Sequence, residues 1–143
     1  MTEQTQGVIP HLVVEDAAAA LEFYKQALGA RETMRVPAED GKRLLHAELQ
    51  VNGARIYLRD DFPDFREQCG ANHVQPPKQM GGTSVTLHLD VEDCDAAVKR
   101  AETAGATVTM PPEDAFWGAR YAQVVDPYGH AWSFAHPLPG APG

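Results

Sequence analysis

Three histidines, a glutamate and an arginine fall within expected strands, and each brings its own chemistry. His11, His46 and His88 carry imidazoles that titrate near neutral pH, so His11 or His88 with Glu48 can form a general acid/base pair. Arg59 can clamp a carboxylate with two N–H groups. Phe116-Trp117, just before Gly118, can stack on a planar ligand at a cleft mouth or close a small satellite core. Two of the histidines recur in almost the same phrase: "PHLVVED" holds His11 and "LHLDVED" holds His88. Three uses are open to this pair. They can hold a divalent metal with Glu48 as third donor, contact a polar or anionic ligand, or line a cavity satisfied by their neighbours. Arg59 and Ala135 occupy the matching positions on the partner strands, and a cation beside Arg59 is disfavoured.

The echo sets the elements that must position these groups. Val14-Glu15-Asp16 matches Val91-Glu92-Asp93, Gly29 matches Gly105, and Asn52-Gly53 matches Tyr128-Gly129. A duplicated unit of this size, present twice, fits a pseudo-twofold pair better than a solenoid. Residues 8–14 alternate and predict a strand. Asp16 then caps a helix to about Leu28, closed by Gly29. Strands follow near 31–36, 43–51 and 54–60, with Asn52-Gly53 as a two-residue hairpin turn. The second copy predicts strands near 84–90, 107–110, 119–125 and 131–136, and a helix over 93–104. Each copy thus reads β-α-β-β-β, an α+β fold. Residues 1–7 read as a flexible N-terminus, 8–60 and 83–137 as the two modules of one domain, and 138–143 as a disordered tail. Prolines and glycines interrupt 61–82, which reads as a linker that acts as a lid or a swapping arm.

Strand parity sorts the side chains. Leu12 with Val14, Leu45 with Ala47 and Leu49, Ile56 with Leu58, Val85 with Leu87 and Leu89, and Trp132 with Phe134 form apolar rows to lie under the helices. The opposite rows place His11, His46, Glu48, Tyr57, Arg59, Thr86, His88 and Ser133 on a concave binding surface, with Trp117 at its mouth. His130 and His136 face away from it.

Composition limits the partners. The chain has 143 residues and a net charge of −8, which argues against nucleic acid and favours a neutral or cationic small molecule. Cys69 and Cys94 form no C-x-x-C pair or disulfide framework. The polar start "MTEQTQG" carries no apolar signal core, and no apolar run reaches membrane-spanning length. The expected location is a reducing cytoplasm.

Together, "VEDAAAALEFYKQALGA", "LDVEDCDAAVKRAETAGA" and "VVDPYGHAWSFAHP" resemble the vicinal oxygen chelate superfamily, which includes glyoxalase I, bleomycin-resistance proteins and extradiol dioxygenases. "PPEDAFWGARYAQVVDPYGHAWSF" is most similar to its PhnB-like branch. The resemblance implies two βαβββ modules around a U-shaped cleft. It also implies a divalent metal held from the first and last strands of each module. Those positions fall on Ile9, Tyr57, Thr86 and Ser133, which form no good ligand set, so the usual metal is not expected. Two functions follow from the resemblance. One is a metal-free, dimeric module that binds a small molecule, as the bleomycin-resistance relatives do. The other is a glyoxalase-like lyase or isomerase using His11, His88 and Glu48.

Overall fold

Asp16 and Asp93 each end a strand and start a helix, and the two halves of the chain are built outward from those turns. The computed structural model describes residues 7–69 and 74–140. Its first half runs β1 (His11–Val14), α1 (Ala17–Leu28), β2 (Arg31–Pro37), β3 (Leu44–Val51) and β4 (Ala54–Asp60). Two short helices follow, α2 (Pro63–Cys69) and α3 (Pro77–Met80). The second half runs β5 (Thr86–Asp90), α4 (Cys94–Ala104), β6 (Thr107–Asp114), β7 (Ala119–Val125) and β8 (Ala131–Pro137). The Asp16 carboxylate accepts the Ala19 N–H at 3.1 Å, the cap its sequence predicts, and Asp93, read from the sequence as the first residue of the second helix, caps it instead by accepting the Ala96 N–H at 3.1 Å.

Each half forms a four-stranded mixed sheet, in the orders β1-β4-β3-β2 and β5-β8-β7-β6. The outer pairs β1–β4 and β5–β8 are parallel, because α1 and α4 carry the chain across; the other pairs are antiparallel. α1 lies on the first sheet, α4 on the second, and the helices pack against each other. A single core runs through both halves, including Leu21, Tyr24, Leu49, Leu58, Val98, Val124, Trp132 and Phe134. That continuous core makes the repeat one structural unit. Asp126, in the turn before β8, ties the halves together. It accepts the Tyr24 hydroxyl at 2.5 Å, the Trp132 indole N–H at 2.9 Å and the backbone N–H groups of Tyr128 and His130.

Two expectations need correction. Leu45 is 51% exposed and Leu44 takes the buried place, because a bulge between Val36 and Pro37 shifts the β2–β3 register. Val85 lies before β5 and is exposed, while Leu87 and Leu89 are only half covered. Within the 61–82 segment Pro63 and Pro77 open the short helices α2 and α3, a place where proline's missing N–H costs no helical bond. Most of the expected N-terminal arm and part of the expected tail lie outside the described residues. Leu138 itself donates its N–H to the Gly118 carbonyl at 2.9 Å.

Candidate functional site

The first sheet turns one face to α1 and carries a ring cluster on the other. His11 stands opposite Tyr57 across β1–β4, and Glu48 opposite Tyr57 across β3–β4. Their sequence neighbours Leu12, Ala47, Leu49 and Leu58 are in the core, so parity directs the polar residues outward. Three rings meet edge to face: His46 and Tyr57 at 4.8 Å between centroids, His11 and His46 at 5.7 Å, and His11 and Tyr57 at 5.9 Å. His46 Nε2 lies 3.0 Å from Glu48 Oε2, which fixes the ring and leaves Nδ1 without a hydrogen-bond partner among the described residues. Partial burial, then the Arg59 guanidinium and His46, hold the His11 imidazole below the usual histidine range.

The second sheet repeats the plan with other residues. His88 stands opposite Ser133 across β5–β8. Its Nδ1 lies 2.8 Å from Ser133 Oγ and its Nε2 lies 2.9 Å from Asp90 Oδ1. By residue type this is a Ser-His-Asp row, yet Ser133 is only 2% exposed. A nucleophile must be reached by its substrate, so this hydroxyl fixes the imidazole rather than attacks. With both ring nitrogens engaged, His88 presents its π face. Tyr121 lies nearly parallel to it, at 6.3 Å and 16°. Trp117 meets Tyr121 edge-on at 5.8 Å, and Phe116 meets Trp117 at 5.1 Å. The Gln123 amide donates to the Tyr121 hydroxyl at 2.9 Å.

His11 and His88, the two repeated histidines, belong to different strand sets. They sit on separate sheets, and no hydrogen bond or ring contact joins them among the described residues. Glu48 likewise serves His46, not His11 or His88. Thr86 and Ile9 line a cavity of about 520 Å3 between the halves, with His88 on its wall. Trp117 is 58% exposed, as a ring at a mouth must be. Tyr121, Gln123 and Asp90 were missed as partners. The alternation of Tyr121 and Gln123 with buried Ala122 and Val124 was a usable signal for the first two. His130 and His136 serve the scaffold: His130 Nε2 lies 2.9 Å from the Val13 carbonyl, and His136 Nδ1 accepts the Cys94 N–H at 2.7 Å.

The metal positions implied by the resemblance do not fit a metal. Ile9 has no donor atom, Tyr57 and Thr86 offer weak hydroxyl donors, and Ser133 Oγ is engaged by His88. Among the described residues no group of three or more His, Cys, Asp or Glu is placed to hold one elsewhere.

Comparison with known proteins agrees with this architecture. Residues 8–134 match the model of the Glyoxalase/Bleomycin resistance protein/Dioxygenase superfamily. A protein of Mycobacterium tuberculosis named only as uncharacterized is 50% identical over 129 residues, 90% of this chain and 73% of its own length. An anthracycline biosynthesis protein of Streptomyces peucetius is 30% identical over 82% of this chain, which spans 42% of that protein. The X-ray structure of an Arabidopsis thaliana gene product superposes with a TM-score of 0.69 at 27% identity, covering 92% of this chain and 99% of that one. A PhnB protein structure from Bacillus cereus shares the fold at 15% identity, with a TM-score of 0.65 over 92% of this chain and 99% of that one. With two capped βαβββ halves, a shared core and a family match over nearly its whole length, the chain belongs to the Glyoxalase/Bleomycin resistance protein/Dioxygenase superfamily.

Proposed function

We propose that the protein binds a small planar organic molecule, neutral or cationic, on the open sheet faces and without the superfamily's metal. One observation carries this reading. The row formed by His88, Tyr121 and Trp117 presents a run of aromatic surface on the second sheet, beside the Ser133 position that offers no free metal donor. Asp90, exposed beside His88, and the net charge of −8 favour a cationic guest. The Streptomyces relative adds support, since anthracyclines are planar, amine-bearing polycycles. In this reading a second copy of the chain completes the cleft, because each sheet face is open within one chain.

The test is a titration with a planar cationic polycycle such as doxorubicin, followed by recovery of the compound. Binding is expected, with the compound recovered unchanged, and Tyr121→Ala or Trp117→Ala should each weaken it roughly fivefold or more. Affinity indifferent to both substitutions would sink the platform. A chemically altered compound would favour a second reading, an enzyme that moves a proton through His46. The 3.0 Å approach of His46 to Glu48, beside the neutral-leaning His11, is the feature that favours it.

A further inference from the structure

Next to the ring cluster of the first sheet lies a second cavity that the platform on the other sheet does not use. It holds about 580 Å3, a size suited to a small organic molecule. Leu45, Phe62, Phe65 and Val74 give it an apolar wall, and Leu45, Phe65 and Val74 each stay more than half exposed. Arg59 and Arg66 line the same cavity.

The charges at that wall do not cancel. Arg59 donates one N–H to the Asp60 carbonyl at 3.1 Å and has no carboxylate partner among the described residues. The carboxylates nearest in sequence are committed elsewhere. Asp60 accepts the backbone N–H groups of Ala17 at 2.9 Å and Leu44 at 2.6 Å. Asp61 pairs with Arg66 Nη1 and accepts the Gln79 amide at 3.1 Å. Arg66 in turn keeps a buried Nε hydrogen without a partner among the described residues. Two guanidinium groups therefore face one apolar cavity with a single carboxylate between them. A half-buried arginine with free N–H groups is a fork for a carboxylate or sulfonate, and a buried orphan donor calls for an acceptor.

We infer that this cavity is a binding site for an amphipathic organic anion, its aromatic or branched apolar body against Leu45, Phe62, Phe65 and Val74 and its acidic head on Arg59. The ligand class is set by the wall, not by the net charge of the chain. Arg43, which stacks on this wall with its Cζ 4.3 Å from the Phe62 ring centroid, is ion-paired with Asp40 and Asp64 and offers no such vacancy. The depressed His11 beside Arg59 is consistent with an uncompensated cation there.

The experiment uses 8-anilinonaphthalene-1-sulfonate and its uncharged analogue N-phenyl-1-naphthylamine, with the intact protein and equilibrium dialysis. The expected result is one sulfonate bound per chain, with Arg59→Gln lowering its affinity at least tenfold and leaving the uncharged analogue bound as before. Retention of the analogue shows that the variant is folded. Phe65→Ser should weaken both probes. Saturating doxorubicin should not displace the sulfonate, so loss of the planar-cation reading leaves this site standing. Equal sulfonate affinity in Arg59→Gln, or displacement of the sulfonate by doxorubicin, would overturn the inference.

Discussion

At the residue scale, Tyr24 shows how one hydroxyl joins two halves. It sits in α1 of the first module, is fully buried, and donates to Asp126 of the second at 2.5 Å. Burial first, and the Asp126 carboxylate next, push its phenol well above the usual tyrosine range. The sign of the pH dependence follows. Above pH 10 an unfolded tyrosine releases its proton while the folded one keeps it, so stability falls as pH rises from there towards the folded value. Tyr24→Phe removes that loss but also removes a hydrogen bond to a charged acceptor. We expect it to cost about 1.5–3 kcal/mol at pH 7. The gap to the native protein should narrow between pH 10 and pH 11. Urea denaturation at both values is the check, and a gap independent of pH would show that the phenol is not protected. None of this was legible in the sequence, which marks residue 24 only as a position on an apolar helical stripe. The partner lies 102 positions away.

At the scale of elements, the sequence was most informative where local chemistry decides the outcome. The cap at Asp16, the Asn52-Gly53 hairpin and the limits of β4 and β7 follow from side chains within a few residues of each other. It was least informative where one strand constrains another. The exchange of Leu44 for Leu45 depends on how β3 pairs with β2: Val36 stands opposite His46 and Pro37 opposite Leu44, which leaves Leu45 without a partner across the pair. Parity placed the polar rows on the correct faces but could not say which row faces which. The turn before β8 offers a direct test of a tertiary contact. Gly129 has φ +90°, and an added Cβ would lie 3.0 Å from Pro77 Cβ in α3. Gly53, at φ +80°, has nothing within 4 Å. Both Ala substitutions carry the left-handed strain of about 1–2 kcal/mol. Gly129→Ala must also push α3 away, so its thermal midpoint should fall measurably further than that of Gly53→Ala. Equal losses would mean that α3 does not bear on the turn.

At the scale of the whole molecule, α1 and α4 share one core while the two sheets keep open faces and open edges. β1 and β2 border the first sheet, β5 and β6 the second, and exposed Met34, Val85 and Met110 lie on or beside those borders. Apolar residues at open strand borders invite a second chain. The proposed closure of the cleft by another copy then meets a definite obstacle: each chain carries a net charge of −8, so two copies repel. The salt dependence therefore separates two kinds of interface. If apolar borders drive assembly, screening the repulsion should strengthen it, and light scattering should show the 15.6 kDa chain moving towards twice its mass as salt rises from about 0.02 to 0.5 M. A dimer that dissociates with added salt would instead be held by complementary charges, with Arg55 on the exposed start of β4 as a candidate contact. A chain that stays single at every ionic strength, yet binds the planar cation, would show that each sheet face works alone.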